Sequence, residues 1–267
     1  MTPDRRRTIR GNAGGGLGGR SLLSWGAVLA ALVALVAPSV ARAQRSGDGF
    51  LFGPPAGSFT LRGGFDRASA GSEIFSDAEH LLTLGRNDFS GLTVGADLAF
   101  RVAPRVDIAL GAAYSGSEAP SEFRDFVDQD DLPIEQSTSF RRVPLTASVK
   151  AYLGPRGRSI GRFAWVPATV APYVGAGGGA MWYQFRQEGD FVDFQSNEIF
   201  PDDLTSSGWT PTGHALAGVD FSLGPRFLLT GEGRYTWARA SLSGDFVGFD
   251  RIDLSGFAVT AGVAVRF

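Results

Sequence analysis

The chain has 267 residues, 43% of them hydrophobic and 12% aromatic, with 37 glycines, two histidines and no cysteine. It is long enough for one or two domains, and the lack of cysteine excludes a disulfide framework and any thiolate metal site. Six of the 25 basic and one of the 27 acidic residues fall in the first 43, leaving 19 against 26, a balance that argues against a nucleic-acid partner.

The chain opens with Arg5, Arg6, Arg7, Arg10 and Arg20, followed by a nearly unbroken apolar run from Leu22 to Ala37. Ala41-Arg42-Ala43 then has the small-x-small form of a cleavage site. These features predict a signal peptide over 1–43, an exported chain beginning near Gln44, and a short periplasmic segment over 44–56. Beyond residue 43 no apolar stretch reaches 18 residues, which excludes a transmembrane helix there.

Eight alternating segments follow, near 57–66, 89–101, 105–115, 140–153, 169–185, 209–223, 226–238 and 254–267. In the first, Phe59, Leu61 and Phe65 share one parity and Arg62 and Asp66 the other. In the last, Phe257, Val259, Val263, Val265 and Phe267 oppose Thr260, Gly262 and Arg266. Such alternation is the signature of strands with one apolar face. The fifth segment is rich in glycine, and Val174, Ala176, Ala180 and Trp182 are assigned to its apolar face.

The connections alternate in length. Those at 67–88, 116–139, 186–208 and 239–253 are long, those at 102–104 and 224–225 short, and 154–168 is of medium length. Ala103-Pro104-Arg105, Gly154-Pro155-Arg156 and Gly224-Pro225-Arg226 mark the short side three times, as proline does at hairpin ends. That side carries Arg105, Arg156, Arg158, Arg162 and Arg226, with no acid in 154–168. The long connections are acidic and aromatic, and "RDFVDQDD", "GDFVDFQ" and "GDFVGFD" echo one another. Ser76 and Glu79 have capping-box spacing, which predicts the start of a short helix in the first of them.

The apolar faces carry aromatics at both strand ends: Phe100, Phe221, Phe227 and Phe267 on the short-turn side, Tyr114, Trp182, Trp209, Tyr235 and Trp237 on the other. The opposite faces carry Arg62, Arg101, Arg142, Lys150, Arg234 and Arg266 against Asp66, Asp97, Asp107, Asp220 and Glu232. A soluble barrel has the reverse arrangement, with a dry inside and charges outside. Two aromatic girdles around an apolar band describe a membrane barrel. Only a closed barrel satisfies every backbone group in lipid, so the last strand is expected to pair with the first. The fold expected is all-β, an eight-stranded antiparallel transmembrane up-and-down β-barrel over 57–267. Six positive and five negative inner charges suit mutual neutralisation better than an ion-selective ring. A lumen network of Arg62, Asp97, Arg142, Lys150, Asp220, Glu232 and Arg234 is expected, with Glu232 and Arg234 reaching Asp97 and either Arg142 or Lys150.

The signal peptide, eight strands, four long loops and terminal phenylalanine resemble the small eight-stranded bacterial outer-membrane barrels of the OmpA-barrel, OmpX and OmpW type. The motif-like match is the ending "VAVRF", with Val263, Val265 and Phe267. In that family such an ending looks like the signal read by the barrel-assembly machinery. The resemblance implies a place in the cell outer membrane among lipids and lipopolysaccharide, the assembly machinery as partner, and no cofactor. It does not imply peptidoglycan anchoring, since no second domain of that kind follows.

Candidate chemistry is sparse. His80 shares a helical face with Ser76 but has no third member of a catalytic set. His214 faces the lumen, and a turn pairing Ser222 with Arg226 sets it opposite Arg234 and diagonal to Glu232, as part of a polar network. Asp128, Asp130 and Asp131 suit a hard cation but lack EF-hand spacing, so they read as a solvated acidic surface and no metal site is assigned. Phe126, Phe191, Phe194, Phe200, Phe246 and Phe249 among the acids suggest loops packed on one another or a surface for a partner. The expected function is a structural or surface-interaction barrel with a plugged lumen and no catalytic residues. A narrow channel for small solutes and a lipid A-modifying or proteolytic barrel enzyme are the alternatives.

Overall fold

The computed structural model describes residues 46–47, 50–128, 130–193 and 198–267. The leader expected over 1–43 and Phe194 lie outside them. Strands in chain order are β1 (Ser46–Gly47), β2 (Phe50–Leu51), β3 (Gly57–Ala68), β4 (Gly91–Ala103), β5 (Val106–Val127), β6 (Pro133–Tyr152), β7 (Gly157–Ile160), β8 (Ala164–Pro167), β9 (Val170–Asp193), β10 (Glu198–Ser222), β11 (Phe227–Ala240), β12 (Ile252–Asp253) and β13 (Gly256–Arg266). Among the described residues there is one α-helix, α1, spanning Glu73–Leu81. Among the described residues no helix is long and apolar enough to cross a membrane.

Eight strands are long, and each pairs antiparallel with two neighbours. The pairing runs β3–β4–β5–β6–β9–β10–β11–β13 and returns from β13 to β3 with Val263 opposite Leu61. Alternation in the sequence becomes alternation in burial. Leu92, Val94, Leu110 and Val259 are 75, 60, 52 and 57% exposed, whereas Asp97, Asp107, Arg142 and Glu232 keep 2–5%. The apolar face thus points away from the protein and the charged face into it.

Two of the expected long loops are extensions of strands. β5 and β6 continue to a turn around 128–132, and β9 and β10 run on to Asp193 and Glu198, so most of 116–139 and 186–208 is ladder. The polar composition of these extensions obscured their strand character, because both of their faces stand clear of the apolar band. A bulge between Glu122 and Val127 interrupts the first pair. The helix also starts earlier than its capping-box spacing predicts. Ser72 is the N-cap and makes no side-chain cap bond, while Ser76 and Glu79 lie within the helix. Ser72 Oγ instead accepts the Asp253 N–H at 3.0 Å, tying the helix to β12.

The apolar core sits at one end, over the mouth of the ring. Ile74, Phe75 and Ala78 of α1 pack with Leu82, Leu84, Phe89, Phe123, Phe140, Phe185, Phe246, Ile252 and Leu254. Phe75 is the hub, with its ring centroid 4.7 Å from Phe89, 5.3 Å from Phe140 and 5.8 Å from Phe185. Of the aromatics expected in loops, Phe246 is buried here, and Phe126 and Phe249 pack against the cluster. At the other end, the connection 154–168 forms the β7–β8 hairpin. It joins β1 and β2 in a small sheet, with Leu51 paired to Trp165.

Phe75→Ala should open this cap while sparing the ring, because the transition to alanine leaves a cavity worth about 3–5 kcal/mol in a site closed by one short helix. Limited proteolysis should then cut within 69–90 while the remaining chain stays folded. Equal resistance in both proteins would show that the cap does not depend on this ring.

Candidate functional site

The interior of the ring is a column of polar side chains between the cap and the turn end. At its centre stands Glu232 of β11. Its Oε2 accepts Lys150 Nζ of β6 and the Tyr173 hydroxyl of β9, each at 3.0 Å. Its Oε1 accepts Arg234 Nε at 3.1 Å and Nη2 at 2.8 Å. Arg234 Nη2 also lies 3.9 Å from Asp97 Oδ1 of β4, and Asp97 forms an ion pair with Arg62 of β3. Tyr173 spans the column further, with its hydroxyl 3.2 Å from Thr230 Oγ1 and Lys150 Nζ 4.8 Å from its ring centre.

Glycine makes room for these groups. A Cβ at Gly111 would collide with the Asp97 carboxylate, and one at Gly218 would come within 2.5 Å of the Tyr173 ring. On the inner face of β9, Gly175, Gly177 and Gly179 stand opposite Lys150, Ser148 and Thr146. A Cβ at any of the three would run into the β6 backbone, so glycine lets β9 and β6 approach closely there.

Of the expected network, Arg62, Asp97, Lys150, Glu232 and Arg234 come together. Arg142 does not join them. It lies nearer the cap, where Nη2 is 3.1 Å from Asp66 Oδ2 and Nη1 donates to the Leu254 carbonyl at 3.0 Å. Asp220 lies nearer the turn end and accepts the Tyr152 hydroxyl at 2.9 Å. Val263 and Val265 point outward, 50 and 38% exposed. The Phe267 carbonyl accepts the N–H of Ala56 at 2.7 Å, and its ring centre lies 6.4 Å from that of Phe100.

The turn between β10 and β11 is wider than expected. Ser222 pairs with Leu228, so His214 opposes Thr236 and Leu216 opposes Arg234. His214 Nε2 instead meets Ser148 Oγ at 2.8 Å across β9. His80 is exposed on the last turn of α1. The acids of 128–131 form a local turn, with Asp128 Oδ1 accepting the N–H groups of Asp130 and Leu132 at 2.8 Å each. Among the described residues no group of three potential ligands is placed to hold a metal ion.

Three participants escaped sequence reading. Tyr173 and Tyr152 occupy inward parity, a signal that was available but masked by the adjacent proline and glycines. Arg156 reads as part of a proline turn, yet its Nη1 donates to Asp107 Oδ2 at 2.6 Å. Above the apolar band, Phe191 and Phe200 stack with centres 6.3 Å apart. Nearby, Arg186 donates twice to Asp203 at 2.6 Å and so holds its carboxyl below the usual range.

No protein-family model matches the chain, and no curated protein matches it. Among solved structures it is similar to Neisserial surface protein A at 13% identity and a TM-score of 0.43, over 79% of this chain and 96% of that one. It is also similar to the N-terminal β-barrel domain of Pseudomonas aeruginosa OprF, at 13% identity and a TM-score of 0.32, covering 80 and 100% of the two chains. The Escherichia coli outer membrane protein W gives 15% identity and a TM-score of 0.35, over 80 and 99%.

Proposed function

We propose that this chain is an eight-stranded antiparallel up-and-down β-barrel of the outer membrane. Its role in this reading is structural or surface-directed, with a lumen plugged by paired charges and an acidic, aromatic outer rim. The observation that carries the reading is the inverted burial: isolated in water, the exposed leucines and valines of eight strands would form an apolar belt far larger than a soluble monomer tolerates. The belt has the right height. Phe227 and Tyr235, both outward on β11, are eight steps apart, about 27 Å along the strand and about 20 Å at a tilt near 40°, close to the ~25 Å band of membrane barrels. Residues 1–43 act as the export signal, and the N-terminal segment and the proline turns lie in the periplasm. Lipids and lipopolysaccharide surround the belt. Purified protein should insert into lipid vesicles and migrate differently on a denaturing gel before and after heating. In intact cells, added protease should reach only the capped end. Cleavage confined to the β7–β8 hairpin would invert the model.

Under this reading Val263, Val265 and Phe267 form the assembly signal. Phe267→Ser should lower the yield of folded protein in the outer membrane, since it alters both the outward girdle and the chain end. An unchanged yield of the heat-modifiable band would show that the terminal aromatic is incidental.

The plugged lumen is supported by the donors converging on Glu232. Eight strands enclose a space that side chains can fill, and breaking a dry ion pair from one side costs about 3–5 kcal/mol. Glu232→Gln should lose that much in urea unfolding, and the wild type should give no steady large conductance in planar bilayers. A porin-sized current from pure wild-type protein would replace the plug with the channel reading. The contact between His214 and Ser148 is what an enzymatic reading would rest on. Turnover of purified lipid A that disappears in His214→Asn would establish it instead.

A further inference from the structure

At the turn end of the column, three arginine donor atoms make no hydrogen bond among the described residues, although the Arg156 guanidinium lies over the Tyr152 ring, 4.4 Å from its centre. Arg156 enters the β7–β8 hairpin and spends Nη1 on Asp107, while its Nε and Nη2 are buried without a hydrogen-bond partner. Arg101, directly across the ladder from Asp107, gives Nη2 to the Pro104 carbonyl at 3.3 Å, and its Nη1 is likewise buried and unmatched. The two guanidiniums are close enough to repel each other, and Arg266 repels Arg156 as well. Arg266 is held in place by Ser222 Oγ at 2.8 Å and by the Trp165 ring 5.6 Å below it.

The account of charges and donors does not balance. Three guanidiniums face two carboxylates, Asp107 and Asp220, and Asp220 already accepts the Tyr152 hydroxyl. Three charged donors are unmatched against one unmatched acceptor, Asp107 Oδ1. The neighbouring segment 154–168 adds Arg158 and Arg162 and no acid. Buried charged donors left without acceptors are strongly unfavourable, and forked guanidinium donors match the oxygens of a phosphate group.

We propose that Arg156 and Arg101 bind a phosphate group at the turn end, with Arg156 Nε and Nη2 and Arg101 Nη1 as donors. Asp107 fixes Arg156 from the other side. The group is either free phosphate or the phosphate of a lipid headgroup. The site itself stands on the arginines, and only the lipid source rests on the membrane reading.

The test uses the full exported chain in maltoside micelles, which carry no phosphate, at constant ionic strength. Inorganic phosphate should raise the thermal midpoint saturably. Arg156→Lys keeps the charge facing Asp107, and so the fold, but lacks the forked donors. It should raise the half-saturating phosphate concentration by about tenfold or more, as the loss of charged hydrogen bonds requires. Arg158→Gln, at an exposed position of the same hairpin, should respond like the wild type. In a parallel arm, short-chain phosphatidylglycerol replaces phosphate. A response to the lipid alone, weakened in Arg156→Lys, assigns a headgroup, and a response to inorganic phosphate assigns the free ion. If neither ligand shifts the midpoint, or if Arg156→Lys responds with wild-type affinity, or if chloride acts equally, the orphan donors are served by internal water and the proposal is overturned.

Discussion

One carboxylate organises the interior. Glu232 accepts four hydrogen bonds on two oxygens, from Lys150, Tyr173 and Arg234. Through Arg234 the contact extends to Asp97 and on to Arg62. These residues come from β3, β4, β6, β9 and β11, so a single buried anion links five of the eight long strands. Its charge is tolerable in that position only because its donors are cationic or well aligned. The donors, in turn, are held in line by the ladders that carry them.

That dependence explains the glycine content. The chain has 37 glycines, and several stand where a long polar side chain from an adjacent strand needs room. Gly218 is one, where a Cβ would meet the Tyr173 ring. Gly175, Gly177 and Gly179 on β9 meet a different need, since a Cβ there would strike the carbonyl oxygens of Val149, Ala147 and Leu145 on β6. A larger residue at Gly111 would displace Asp97 itself. Backbone permissiveness is secondary at these positions, since what the site requires is absent volume.

The main frame was legible because the period-2 alternation separates Leu61, Val94, Leu110 and Val259 from Arg62, Asp97, Asp107 and Thr260 without ambiguity. Inward charge follows from the same parity. What parity does not carry is reach. Arg142 and Lys150 occupy equivalent faces of β6, yet one extends to Asp66 near the cap and the other to Glu232. Loop lengths were misread for a related reason. In β5, β6, β9 and β10 the ladder outlasts the apolar pattern, and polar residues in a strand look like loop. The β10–β11 turn shows how small a slip suffices: two residues of register move His214 from Arg234 to Thr236.

The pairing of β13 with β3 joins the last of the long strands to the first. Val263 and Leu61 are roughly 200 positions apart, so closing this seam carries a large loop entropy and a high contact order. Lys150 and Glu232 are themselves 82 positions apart. Until the last strand arrives, an incomplete sheet presents charges on one side and bare leucine and valine on the other, with neither partnered. Each contact is therefore conditional on the final one, and folding should be strongly cooperative: partial sheets gain little, and the free energy falls when the circle is completed.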